Sequence, residues 1–145
     1  MNDRERFAGV WRLISFERIL PDGTVERPYG PDPVGRLIYD LEGRMAGQLM
    51  RRGRPCFPPG ANEAELAGEI RAAFNGYIAY FGRYRVDAER RVVIHNVEAS
   101  LYPNWVGGEQ EREYEFAGNR LTLTARSGKP GARRVSRLVW EHESQ

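Results

Sequence analysis

Along most of this chain hydrophobic and polar positions alternate with a period of two. The plainest case is 109–116, where Glu109, Glu111, Glu113 and Glu115 share one face and Gln110, Arg112, Tyr114 and Phe116 share the other. A strand with a carboxylate face and an aromatic face has water on the first and the interior on the second. The same reading places strands at 9–19, 34–40, 45–51, 77–87, 91–101, 120–125 and 134–142. Turn chemistry separates them at Pro21-Asp22-Gly23, Leu41-Glu42-Gly43-Arg44, Ala88-Glu89-Arg90 and Gly118-Asn119.

One segment changes period. Over 62–75, Leu66, Ile70, Ala73 and Phe74 fall on one face of a helix. Asn62 is a fitting N-cap, Glu63 and Glu65 suit the positive end of the helix dipole, and Gly76 is a fitting stop. This helix is expected to lie on the strands or plug one end. Eight meandering antiparallel strands lose their free edges by closing on themselves. The expected fold is therefore all-β: a single up-and-down antiparallel eight-stranded barrel with one inserted α-helix, one domain over 1–145. A barrel of that size holds side chains and one small ligand.

Each strand also votes for an inward face. Leu121, Leu123 and Ala125 face in, as do Ser136, Leu138 and Trp140. Pairing across the 88–91 turn puts Tyr80, Gly82, Tyr84 and Val86 on the same side as Val93, His95, Val97 and Leu101. Asn96, Glu98 and Ser100 then face out, unless a bulge intervenes. Pairing Asp40 with Met45 puts Leu37 and Tyr39 on the same side as Ala46, Gln48 and Met50, taken as the interior. The first strand is ambiguous: Trp11, Leu13 and Ser15 share one face, and Val10, Ile14 and Phe16 the other.

Candidate chemistry follows from these faces. His95 is an interior imidazole, suited to packing, to ligand hydrogen bonding or to acid–base work. Tyr80, Tyr84 and Tyr114 offer apolar rings with polar tips for an aromatic ligand. Arg112 is always charged, so it needs a partner inside, either a carboxylate or a ligand anion. Glu17 is the internal partner available if Trp11 faces in. Tyr39, Gln48 and Met50 complete the expected ligand-binding wall. The mouth falls to the 51–61 loop, with Cys56 and Phe57, or to 102–108, where Trp105 is a reasonable lid. Ile14, Phe16 and Ile94, read as outward, raise a third reading as a protein-interaction module.

Composition narrows the classes. The 145 residues are 41% hydrophobic and 29% charged, with net charge +2 and no basic stripe, which gives no nucleic-acid footprint. One cysteine excludes an internal disulfide and suits a reducing cytoplasm, and no apolar leader or membrane-spanning run is visible. Phosphate-loop, dinucleotide, zinc-protease and nucleophile-elbow motifs are absent, and two histidines with one cysteine make a poor metal set. No cofactor or metal is expected. Nothing in the sequence sets an oligomeric state.

Gly9-Val10-Trp11 matches the G-x-W signature of lipocalin and calycin barrels. Together with Pro33-Val34-Gly35-Arg36-Leu37-Ile38-Tyr39, Tyr80-Phe81-Gly82-Arg83-Tyr84, Pro103-Asn104-Trp105-Val106-Gly107 and Leu138-Val139-Trp140, it closely resembles the bacterial and fungal lipocalin-like domain family over nearly the whole chain. The resemblance implies an internal cavity. It also implies that Trp11 packs at the closed end under an arginine, Arg134 or Arg137. It departs from secreted lipocalins in lacking a signal peptide and a disulfide pair, and in inserting a helix after the third strand. Some relatives of similar fold resemble cofactor-free isomerases or cyclases. The expected function is binding of a small, largely apolar or aromatic molecule in the barrel. The alternative is a cofactor-free isomerase, cyclase or hydrolase using His95 and Arg112 as catalytic groups in the same space.

Overall fold

Each alternating run pairs with the next one in the chain, and the last returns to the first. The computed structural model describes residues 1–143. In order these form α1 (Asp3–Phe7), β1 (Gly9–Ile19), β2 (Val25–Glu26), β3 (Val34–Tyr39), β4 (Arg44–Met50), α2 (Ala67–Asn75), β5 (Tyr77–Asp87), β6 (Val92–Ser100), a 3-10 turn (Pro103–Trp105), β7 (Glu109–Ala117), β8 (Arg120–Ser127) and β9 (Arg134–His142). All pairings are antiparallel. β1 pairs β3 through residues 9–12 and β9 through residues 11–19, which closes an eight-stranded barrel. β2 is a two-residue addition to the end of β1, folded back by the 20–24 turn.

The inward faces of β5, β7, β8 and β9 are those the alternation gives. Tyr84, Tyr114, Leu121, Leu123 and Trp140 are all buried, while the four glutamates of β7 are exposed. On β1 a bulge resolves the ambiguity. The register slips between Leu13 and Ser15, so Trp11 and Leu13 face in before it and Phe16 faces in after it. Glu17 is thereby turned away from the interior and lies 4.0 Å from Arg27, so it is not the internal partner of Arg112.

The 34–51 hairpin corrects the sequence reading. Tyr39 pairs with Met45 and Leu37 with Gly47, one residue off the expected register. Leu41-Glu42-Gly43 is a three-residue loop with Gly43 at φ +93°, and the Asp40 carboxylate accepts from the Glu42 and Arg44 amides. A slip of one residue exchanges every face. Met45, Gly47 and Leu49 therefore point inward. Gln48 and Met50 project outside, where the Tyr77 hydroxyl donates to Gln48 Oε1.

A plug missed in the sequence closes one end. Asn2 caps α1, and Phe7 at its end is fully buried, edge-on to Tyr39, Tyr114 and Phe116. The Trp11 indole N–H donates to the Phe7 carbonyl at 2.8 Å, and its ring meets His142. Arg134 and Arg137 are both exposed, so neither covers Trp11. The cations over aromatic rings at this end are Arg6, 4.3 Å from the Phe116 centroid, and Arg91, 5.8 Å from that of Tyr114.

α2 is shorter than expected. Asn62 caps a turn, accepting from the Glu65 amide, and the helix proper begins at Ala67. No residue of α2 is buried, and Ile70 and Phe74 stay 43% and 41% exposed. The helix rests beside the open end and does not fill it. Arg54 fastens it, donating to the Ala73 carbonyl near the helix C-terminus and covering the Tyr77 ring. The outward apolar patch that raised an interaction module is absent: Phe16 is core, Ile94 is 3% exposed and Ile14 is half-buried.

Candidate functional site

The alternation that builds the core also leaves space inside it. A pocket of about 410 Å³ lies within the barrel, lined from all eight barrel strands by residues including Phe16, Leu37, Leu49, Tyr80, Leu123 and Trp140. Its polar groups are few: Tyr80, His95, Gln110, Arg112 and Ser136, with Arg18, Arg126 and Ser127 toward the open end. Apolar walls with a few placed polar groups are the usual make-up of a small-molecule site.

His95 stands at the base of this polar group. It is 2% exposed, and its Nε2 lies 2.6 Å from the Tyr39 hydroxyl and its Nδ1 2.6 Å from the Tyr80 hydroxyl. The register explains the convergence. Tyr84 is directly opposite His95 on β5 with Tyr80 four residues away on the same face, while Tyr39 reaches across from β3. Burial pushes the His95 imidazole down to about 3, with the Arg112 charge adding to the shift. Burial likewise pushes the Tyr39 and Tyr80 hydroxyls up, against the pull of Arg112. All three groups are neutral at pH 7.

Arg112 and Gln110 sit across β6 from Val93 and His95. The Arg112 guanidinium donates to the Glu111 carbonyl at 2.9 Å and to Gln110 Oε1 at 3.1 Å. Among the described residues it forms no ion pair. Arg18 is the cation the sequence reading missed. It shares the Phe16 face by simple alternation, and the β1 bulge turns that face inward, where Arg18 lines the pocket. Arg126, by contrast, is held by Glu113 at 3.1 Å.

The remaining expected site residues divide by depth. Tyr84 and Tyr114 do face inward, but they pack at the closed end around Phe7. Tyr84 donates to the Asp40 carbonyl and Tyr114 to the Asp3 carboxylate, so neither lines the pocket. Gln48 and Met50 are outside it. Trp105 lines it from the 3-10 turn, edge-on to Tyr80 and Tyr102. A cleft of about 260 Å³ between α2 and this turn, lined by Phe74, Ile78, Leu101 and Tyr102, adjoins at Trp105. No residue of the 51–61 loop lines the interior pocket, and Cys56 is exposed. Ser100 is opposite Tyr80, because β6 carries an extra residue at Glu98.

A family model described as a lipocalin-like domain matches residues 8–142. The 4'-hydroxy-3'-methoxypropiophenone carrier protein of Aspergillus oryzae is 38% identical over 91 residues, covering 55% of this chain and 78% of that protein. The formate hydrogenlyase transcriptional activator of Salmonella typhimurium is 30% identical over 112 residues. That match spans 71% of this chain but only 16% of the activator. A solved variant of the fluorescent protein UnaG aligns over 97% of this chain and 99% of its own at 11% identity and TM-score 0.41.

Proposed function

The chain belongs to the lipocalin-like domain family, and from that premise we propose that it binds one small, largely apolar or aromatic molecule inside its barrel. The observation that carries the reading is the interior pocket of about 410 Å³, walled by aliphatic and aromatic side chains, with Tyr80, His95, Gln110 and Arg112 grouped inside and Arg18, Arg126 and Ser127 toward the open end. The carrier named for an aryl ketone, similar over much of its length, supports it. Trp105 and the cleft beside α2 supply the way in, ahead of the 51–61 loop. Among the described residues no helix is long and apolar enough to cross a membrane.

A direct catalytic role for His95 fits the geometry less well. Both ring nitrogens are occupied, and the imidazole is held neutral to about pH 3, far from the operating range of a general acid–base pair. The binding reading is tested by titrating the protein with N-phenylnaphthylamine and with 4'-hydroxy-3'-methoxypropiophenone, following probe fluorescence and tryptophan quenching. Trp105 and Trp140 both line the pocket, so a bound aromatic should quench them. Saturable binding with one equivalent per chain, confirmed by native mass spectrometry, is the expected result. Absence of saturable binding by both compounds would refute the reading.

A further inference from the structure

Proton counting gives the polar cluster a direction. A neutral imidazole has one N–H and one acceptor nitrogen, so it cannot accept from both tyrosines. Two hydrogen bonds join Tyr39, His95 and Tyr80, and the three groups hold three protons between them. One proton is left over. It belongs to whichever tyrosine accepts from the imidazole.

The two tyrosines are not equivalent places to leave it. Tyr39 is 1% exposed, wedged edge-on between Phe7 and Tyr84, and His95 is its hydrogen-bond partner. A spare O–H there is buried and unmade, which carries the full desolvation cost. Tyr80 lines the pocket, where a spare O–H can reach a guest. The low-energy arrangement is therefore Tyr39 O–H donating to Nε2, and Nδ1–H donating to the Tyr80 oxygen. The Tyr80 proton then faces the pocket.

Arg112 shares that space with its guanidinium anchored on Glu111 and Gln110 and no carboxylate paired to it among the described residues. Resting on the binding reading above, we infer that the pocket selects ligands carrying an anionic or carbonyl-type acceptor oxygen, held by the Tyr80 O–H and the Arg112 guanidinium, with His95 as the positioning residue that aims the Tyr80 proton. The apolar walls take the rest of the molecule. An aromatic acid, a phenolate or an enolate fits; a plain hydrocarbon leaves both donors unused.

Two measurements test this. The first needs no ligand. In a long-range proton–nitrogen correlation spectrum of histidine-labelled protein at pH 7, His95 should show a protonated Nδ1 and an unprotonated Nε2. An Nε2–H tautomer or an imidazolium would overturn the positioning role. The second compares two fluorescent probes with the same ring system, anilinonaphthalene sulfonate, which is anionic, and N-phenylnaphthylamine, which is not. The sulfonate should bind about tenfold more tightly, as one charge-assisted hydrogen bond warrants. Tyr80→Phe should reduce that preference several-fold. Arg112→Gln gives the same test independently should Tyr80→Phe fold poorly. If N-phenylnaphthylamine binds and the sulfonate shows no preference, the selectivity falls while the binding reading stands. If neither probe binds and 4'-hydroxy-3'-methoxypropiophenone does not bind either, both fall; if only the ketone binds, the selectivity for an anionic oxygen falls and the binding reading stands.

Discussion

Gly82→Ala should lower the unfolding free energy by about 3 kcal/mol or more, a loss on the scale of severe core overpacking. Gly82 is buried on β5 beside the β6 bulge. A Cβ built there would lie 1.9 Å from the Asn96 carbonyl oxygen and 3.0 Å from the Glu98 amide nitrogen. Both are backbone atoms in the barrel wall, so no side-chain rotation relieves the clash. The wall must open or the bulge must move, and moving it swings Tyr80 and His95 out of register. A bulge tied to a strand glycine is a built feature of such walls. Gly68→Ala on α2 is the control. Nothing lies within 4 Å of its Cβ, and alanine favours a helix interior over glycine by about 1 kcal/mol. Urea unfolding followed by tryptophan fluorescence should show the first variant strongly destabilised and the second equal to or above the parent. A loss below about 1 kcal/mol for Gly82→Ala would mean the bulge is soft.

The same bulge shows what a sequence can and cannot carry. Period-two alternation is a local signal, and it survives wherever pairing is regular. Glu109 through Phe116 reads correctly because β7 runs without interruption. It fails where one residue is inserted or a loop is miscounted. Gly43 at positive φ shortens the β3–β4 loop by one residue and sends Gln48 and Met50 outside. The β1 bulge brings Phe16 and Arg18 in and turns Glu17 out. In each case the residues themselves are ordinary strand residues, so nothing in their identity announces the slip.

Depth along the barrel axis is a second quantity that alternation does not encode. Tyr80, Tyr84 and Tyr114 all point inward, yet only Tyr80 reaches the pocket. Phe7 takes the space beside the other two. That plug was illegible because Asp3-Arg4-Glu5-Arg6 reads as a solvated run, and the contribution of a short helix comes from one buried ring at its end. The placement of His95 and Arg112 was legible, because they fall on the inward faces of β6 and β7 where the two strands pair without a shift, and parity alone brings them to one side.

The burial that holds His95 neutral should also make the fold acid-sensitive. Its folded-state value is depressed from 6.5 to about 3, chiefly by burial and further by Arg112. The unfolded chain therefore binds this proton at a pH where the folded chain refuses it. Stability from this group is present above about pH 6.5 and is lost progressively as pH falls toward 3. Between pH 7 and pH 4.5 the loss is on the order of 2–3 kcal/mol. Among the described residues the charged group acting on His95 is Arg112, with no carboxylate to offset it, and Tyr39 and Tyr80 stay protonated throughout. His95→Gln isolates it. An amide supplies one donor and one acceptor for the same two tyrosines but does not titrate, and every carboxylate and His142 remain common to both proteins. Urea unfolding at the two pH values should show the parent losing about 2–3 kcal/mol more than the variant. Equal losses would mean that the imidazole takes up its proton in the folded barrel, through an opening that admits water to the Tyr39–His95–Tyr80 cluster.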